Sequence, residues 1–282
     1  MKQKIAVRKH LSIAVLGLFI LILSAALPAA AQSANPGKGR LYLVGLGSGD
    51  HDNMTVRAQK TIAKADMVFA MKHVFKQYAD MLQGKELHDA GHALYNKHVP
   101  HRKYDSRIKA LEEKNRRIIR QAVAAGKTVA VISGGDAVLF APHAAYLKEF
   151  QDLKPEVVPG LSCFNAANAA LRRNVVRGKV SRSVILTVGM NANQGYQGKD
   201  TLAKLAETQS TMVFFTMHSK LAEIVEQLKK GYRGDTPLAI VCHAGYRGKE
   251  KVILATVDTI VERLKGKDLP FEHLIYVGDF LR

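Results

Sequence analysis

The sequence predicts an α/β fold with largely parallel sheets, and three observations support this. Short apolar runs rich in strand-forming residues alternate with amphipathic helical segments along the chain. One of these runs, residues 128–132 (TVAVI), is apolar throughout, which is typical of strands buried on both faces of a parallel sheet. Several runs lead directly into loops of small residues, and open α/β sheets bind their ligands at that carboxyl edge.

The first half of the chain, residues 39–178, is predicted to form an N-terminal α/β domain. Its opening strand, 41–44, is followed by Gly45, Gly47 and Gly49 at alternate positions. Thr55 and Ser162 stand where N-cap residues of helices are expected. We expect further strands over 66–70, 128–132 and 156–158, and helices over 54–65, 106–125, 140–150 and 165–171.

The second half, residues 183–282, is predicted to form a C-terminal α/β domain. Residues 172–182 are basic and polar, which indicates a linker between the two domains. We expect strands over 183–188, 211–216, 238–242, 251–255 and 274–277, with helices over 201–207, 220–229 and 257–264.

Four loops are candidates for a ligand site because each follows a predicted strand and is rich in small residues. Glycine lets the backbone turn sharply and approach a ligand closely. A single loop of this kind is weak evidence, but four at the carboxyl ends of strands indicate a binding site together. The four loops are residues 45–50, 133–136, 159–163 and 243–245.

Residues 71–100 are rich in histidine and their structure is harder to predict. His88 and His92 are four residues apart and would share a helix face, as metal ligands do. However, Gly91 weakens such a helix, and no acidic or thiol side chain has a matching spacing. We therefore predict no metal site, and expect solvent-exposed histidines.

Residues 1–31 have the pattern of a signal peptide. Basic residues at positions 2, 4, 8 and 9 precede an apolar run, and the small residues 29–31 fit a cleavage site before Gln32. The alternative is an uncleaved inner-membrane anchor over residues 11–27. Whether the segment is a cleaved signal peptide or an anchor, the part of the chain that follows it is predicted to be exported to the periplasm.

The formal net charge of the chain is +18, and the body without the four leader charges carries +14. Such a charge suits an anionic partner, or it reflects a generally basic, soluble surface. No nucleic-acid-binding motif accompanies the scattered basic residues, so we do not expect nucleic acid as a partner. Cys163 and Cys242 would be able to pair in an oxidising compartment, or they are two separate thiols.

Seven segments, which follow the family's order along the chain, resemble the tetrapyrrole methylases, which methylate uroporphyrinogen III and precorrins with S-adenosylmethionine. Residues 43–50 (LVGLGSGD) resemble the family's opening loop, and residues 133–136 (SGGD) resemble its cofactor loop. The matches cover nearly all of residues 39–282. The remaining matching segments are 65–68, 157–162, 211–221 and 236–256, with 276–278 as the last strand.

This resemblance implies two α/β domains with a cleft between them that binds S-adenosylmethionine and an anionic tetrapyrrole. It also implies a homodimer. Carried over by position, the cofactor-binding residues are Ser48, Gly134, Gly135, Asp136, Leu139, Ser162, Cys163, Thr216 and Ala244. Gly47, Gly49 and Asp50 would face the substrate. Lys97 is the candidate catalytic residue, because it corresponds to a downstream lysine of the uroporphyrinogen enzymes.

The chain also departs from the family pattern. Ala137 stands where the cofactor loop usually has proline, and Met71 stands where the uroporphyrinogen enzymes have an acidic residue. The spacing to Lys97 differs as well.

Two functions are consistent with the resemblance and these departures. The first is an exported or membrane-tethered methyltransferase, although its methyl donor is made in the cytoplasm. The second is a non-catalytic periplasmic tetrapyrrole-binding protein on the same fold, in which His143, His218 or His243 would offer an axial ligand to a haem-type group.

Overall fold

The computed structural model describes residues 39–96, 104–189, 196, 198–215 and 220–282. The predicted leader, Lys97, Thr216 and His218 lie outside these ranges. The described residues belong to one compact unit. Within them, no helix has both the length and the apolar character needed to cross a membrane.

The described residues form ten strands, and most lie within one or two residues of a predicted one. They are β1 Arg40–Gly45, β2 Met67–Ala70, β3 Glu86–Asp89, β4 Thr128–Ser133, β5 Glu156–Val158, β6 Val184–Val188, β7 Thr211–Phe215, β8 Pro237–Cys242, β9 Lys251–Thr256 and β10 His273–Val277.

The described part of the chain also contains nine α-helices. They are α1 Val56–Lys64, α2 Lys72–Gln77, α3 Ala79–Leu82, α4 Ser106–Ala124, α5 Ala145–Glu149, α6 Cys163–Leu171, α7 Leu202–Glu207, α8 Leu221–Leu228 and α9 Ile260–Arg263. The predicted caps are confirmed: Thr55 accepts the Ala58 N–H at the start of α1, and Ser162 accepts the Asn165 N–H at the start of α6.

The first sheet has the order β3-β2-β4-β1-β5 and is parallel throughout. Gly45 at the end of β1 is in register with Ser133 at the end of β4, and Val44 is in register with Val158 at the end of β5. The three loops that follow these strands therefore leave the sheet at the same edge. Buried apolar side chains cover both faces, as expected for a parallel sheet.

The second sheet has the order β6-β7-β10-β8-β9 and is mixed. Only β6 and β7 pair in parallel, whereas β10 is antiparallel to both of its neighbours and β9 is antiparallel to β8. Parallel pairing therefore predominates over the whole fold, with five of eight strand pairs, but not in this sheet.

Helix α6 connects the two sheets. It follows the last strand of the first sheet, but its buried residues Ala166, Ala167 and Leu171 pack against the second sheet. The hydroxyl of Tyr276 on β10 donates to Asn168 Oδ1 at 2.9 Å. The domain boundary near residue 178 stays a prediction.

The structure resolves one alternative that the sequence left open, and it shortens one predicted helix. His88 lies on the edge strand β3, where it stacks on Phe69, so it does not share a helix with His92. The helix expected over 140–150 is reduced to α5.

Candidate functional site

The loops that follow β1, β4 and β5 contact one another through bare backbone. Gly47 and Gly135 exchange two backbone hydrogen bonds, of 3.1 and 2.8 Å. A Cβ atom on Gly160 would lie 2.2 Å from the carbonyl oxygen of Gly135, so only glycine fits there. The glycines thus bring three predicted loops into one continuous wall.

The fourth predicted loop, at the end of β8, closes on this wall from the second sheet. The Asp50 N–H donates to the Gly245 carbonyl oxygen at 3.0 Å. Asn53 Nδ2 donates to the carbonyl oxygens of Ser48 and Gly245, at 2.9 and 3.2 Å. The Arg247 N–H donates to the Asp50 carboxylate at 2.9 Å. The four loops therefore meet at a junction between the two sheets.

A cavity of about 320 Å³ opens at this junction. Its volume is at the lower end of the range for small-molecule sites. The lining residues come from both sheets. They are Leu46, Gly47, Ser48, Gly49, His73, Val74, Gln77, Tyr78, Gly134, Gly135, Cys163, Phe215, Val241, Ala244, Tyr246, Phe271, Glu272, His273 and Leu274.

The cavity combines bare backbone, apolar side chains and neutral polar groups. Phe215, Val241 and Leu274 supply apolar surface from the second sheet. Burial raises the pKa of the Cys163 thiol to about 11, with a smaller contribution from the charge of Glu272, so the thiol stays protonated at neutral pH. Burial likewise raises the pKa of Tyr78 to about 12. Both groups are therefore uncharged at neutral pH.

On the side of the cavity formed by the second sheet, Glu272 contacts two polar residues of the loop after β8. Its Oε2 lies 3.2 Å from His243 Nδ1, and its Oε1 accepts the Tyr246 hydroxyl at 3.4 Å. Its backbone carbonyl accepts the His243 N–H at 2.9 Å. The residue before β10 is thus held against the loop after β8.

The structure brings seven of the predicted site residues to the cavity wall. They are Gly47, Ser48, Gly49, Gly134, Gly135, Cys163 and Ala244. Lys97 and Thr216 lie outside the described residues, so their placement stays a prediction.

The remaining four predicted residues do not line the cavity. The Asp136 carboxylate accepts the N–H groups of Val138 and Leu139, at 2.9 and 2.8 Å, and so caps the next turn. Ser162 caps α6, and Leu139 packs with the apolar cluster below the second sheet. Asp50 binds the Arg247 N–H. These four residues support the wall from outside.

Sequence reasoning missed the side chains that α2 and the strand β10 contribute. His73, Gln77 and Tyr78 reach the cavity from α2, a helix that the sequence did not predict. Glu272 precedes β10, and no small-residue loop marks it. Tyr246 directly follows the predicted loop at 243–245. Of these missed side chains, it is the one whose place in the sequence indicated that it would lie near the site.

The candidate haem ligands differ in accessibility. His143 is completely buried, and its Nε2 lies 3.0 Å from the Gly91 carbonyl oxygen. It is therefore not available to an axial position in this structure. His243 is not among the residues that line the cavity, and its Nδ1 is engaged with Glu272. Cys163 and Cys242 are both free thiols.

A parallel sheet, a mixed sheet and a small cavity between glycine-rich loops define a two-sheet α/β protein that binds a small molecule. A family model described as tetrapyrrole (corrin/porphyrin) methylases matches residues 40–261. The chain belongs to this family, as the sequence resemblance predicted.

Comparisons with individual proteins agree with this assignment. The chain is 31% identical to a cobalt-precorrin-4 C(11)-methyltransferase of Methanocaldococcus jannaschii, over 86% of this chain and 88% of the relative. It is 28% identical to a uroporphyrinogen-III C-methyltransferase of Bacillus subtilis, over 86% and 90% of the two chains.

Two crystal structures show the same fold. A cobalt-precorrin-4 methyltransferase superposes with a TM-score of 0.70 at 22% identity, covering 86% of this chain and 96% of that one. A uroporphyrin-III C-methyltransferase from Thermus thermophilus, complexed with S-adenosylhomocysteine, superposes with a TM-score of 0.62 at 21% identity, covering 86% and 99%.

Proposed function

We propose that this protein transfers a methyl group from S-adenosylmethionine to a ring carbon of an anionic tetrapyrrole, and that the acceptor is a precorrin. Membership of the family and the names of the relatives support methyl transfer. The 31% identity to a cobalt-precorrin-4 enzyme favours a precorrin. The observation that carries the proposal is the cavity between the two sheets, with its glycine wall and apolar floor.

The residues of the cavity fit the methyl donor. Nothing lies within 4 Å of a Cβ atom built on Gly134 or on Gly135, so open space borders the backbone at both positions. The backbone of Gly134 would contact polar parts of the donor, whereas the N–H and carbonyl of Gly135 are already paired with Gly47. Phe215, Val241 and Leu274 would cover its apolar parts. Ser48 and the neutral Cys163 complete the wall without adding charge.

When bound, the donor would supply an activated methyl group: a bond from an electron-rich ring carbon to the methyl carbon would form as the methyl–sulfur bond breaks, leaving neutral S-adenosylhomocysteine. The protein's part in such a reaction is chiefly to hold the two reactants in contact and to exclude water. The rigid backbone junction of Gly47, Gly135 and Gly245 suits that task. A macrocycle is too large for a cavity of 320 Å³ and would lie at its open side. The basic body would favour a polycarboxylate there.

We also propose that the protein is exported, or tethered by residues 11–27, on the strength of the leader pattern alone. Homodimer formation is proposed from the family resemblance. The non-catalytic carrier remains the alternative, although the burial of His143 removes one of its candidate ligands.

Calorimetric titration of the full chain with S-adenosylmethionine tests the proposed function. Gly134→Ala tests the cavity without straining the backbone. Gly134 lines the cavity, has no positive φ and has open space at its Cβ position. The added methyl group enters the cavity, and we expect it to weaken donor binding about tenfold at an unchanged melting temperature.

Gly178→Ala is the matched control, because Gly178 has the same freedom at its Cβ position but lies outside the cavity. We expect it to change neither binding nor stability. Absence of donor binding to the unmodified chain at millimolar concentration would overturn the methyltransferase proposal.

A further inference from the structure

Glu272 stands out because it brings a formal negative charge to the cavity wall. Among the described residues that line the cavity, it is the one carboxylate. The other described lining groups are backbone, apolar side chains, histidines and neutral polar groups. The raised pKa values of Cys163 and Tyr78 keep those two groups uncharged.

The carboxylate of Glu272 is held in place by two residues of the loop that follows β8. His243 Nδ1 and the Tyr246 hydroxyl lie at 3.2 and 3.4 Å from its two oxygens. The side chain of Glu272 is 53% exposed, so its charge remains partly hydrated. No arginine or lysine forms an ion pair with it in the described part of the chain.

Glu272 and Cys163 line the same cavity from two different elements, the segment before β10 and helix α6. Burial is the main cause of the raised pKa of the Cys163 thiol, and the charge of Glu272 adds to it. A cation bound between these walls would therefore be stabilised by the same charge.

We propose that Glu272 supplies the counter-charge for the sulfonium of the methyl donor, so that this cavity prefers the donor over the demethylated product. This inference rests on the proposed function. S-adenosylmethionine and S-adenosylhomocysteine share the adenosine and the amino-acid moiety, and differ by the methyl group and the positive charge on sulfur. A carboxylate near that sulfur stabilises the first and not the second, so the product leaves more readily after transfer.

The test is calorimetric titration of the full chain and of Glu272→Gln with both ligands. Glutamine keeps the shape and one acceptor oxygen, places an amide N–H2 at the position of the other oxygen, and removes the charge. For a half-exposed group we expect the preference for S-adenosylmethionine over S-adenosylhomocysteine to fall by about threefold to tenfold. Sinefungin, which carries an amine near the position of the sulfonium, should lose affinity as S-adenosylmethionine does.

Two further variants make the result specific. Glu272→Asp keeps the charge, and we expect it to retain most of the preference. Glu207→Gln removes one negative charge from the exposed end of α7, outside the cavity, and should leave both affinities unchanged. Melting temperatures of all variants show whether each is folded.

Equal weakening of both ligands in Glu272→Gln would overturn the inference, because Glu272 would then contact a part that the ligands share. Unchanged affinities would overturn it as well. If the unmodified chain binds neither ligand, the proposed function itself fails, which is a different outcome.

Discussion

Gly49 is the residue at which the two sides of the cleft approach most closely. Its φ is +92°, and a Cβ atom there would lie 2.2 Å from the Gly245 carbonyl oxygen. Two separate penalties therefore oppose any side chain: the left-handed backbone conformation and a collision with the backbone of the second-sheet loop.

The two penalties can be separated by a matched pair of variants. Gly84→Ala has the same kind of backbone, with φ +76°, but nothing lies within 4 Å of its Cβ position. We expect Gly84→Ala to lower the free energy of unfolding by about 1 kcal/mol, and Gly49→Ala by about 3 kcal/mol or more, as measured by urea denaturation. Similar losses in the two variants would contradict the close approach of the loops at Gly49.

At the scale of elements, the turn after β4 supports the cavity through Asp136. Its carboxylate accepts the N–H groups of Val138 and Leu139, which fixes the backbone leading to Phe140. The ring of Phe140 packs on that of Phe215, with a centroid distance of 4.4 Å, and Phe215 lines the cavity. The predicted cofactor residue thus acts on the cavity through a cap and an aromatic contact.

Asp136→Ala removes the cap and should lower the free energy of unfolding by about 1 kcal/mol, because two N–H groups lose their acceptor. We expect donor affinity to fall as well, since Phe215 is less firmly packed. Asp136→Asn keeps the acceptor oxygen and should stay close to the unmodified protein in both measurements. If the asparagine variant binds as poorly as the alanine variant, the carboxylate charge matters and the cap alone does not explain its role.

The elements also show what the sequence can and cannot predict. Helix α4 and strand β4 were predicted to within one residue, because an amphipathic period and an all-apolar run are local signals. Strand β3 (ELHD) was missed, because an edge strand tolerates charged residues and is only four residues long. The direction of β10 between β7 and β8 follows from chain topology, which no local pattern encodes.

The difference between local signals and long-range packing also explains which residues of the candidate site could be predicted. The four small-residue loops were predictable, since close backbone contact demands glycine at positions such as 49 and 160. The long side chains of Tyr78 and Glu272 reach the cavity from elements whose position depends on packing far along the chain. Such positions carry no sequence signal of their own.

At the scale of the whole molecule, a buried histidine and a half-buried one make the free energy of unfolding depend on pH. Burial lowers the pKa of His143 below its ordinary value of 6.5, and it lowers the pKa of His273 in the same way. The unfolded chain therefore binds protons in a pH range where the folded chain does not. The free energy of unfolding must then decrease as the pH falls below about 6.5.

His143→Gln isolates the contribution of the completely buried histidine. The glutamine amide can still donate to the Gly91 carbonyl oxygen, as the imidazole Nε2 does, but it does not titrate. We expect the slope of unfolding free energy against pH between 6.5 and 5 to become shallower by up to about 1.4 kcal/mol per pH unit, measured by urea denaturation at several pH values. An unaltered slope in His143→Gln would mean that the folded protein admits the proton at this buried position, and the pH dependence of the molecule would then have to arise elsewhere.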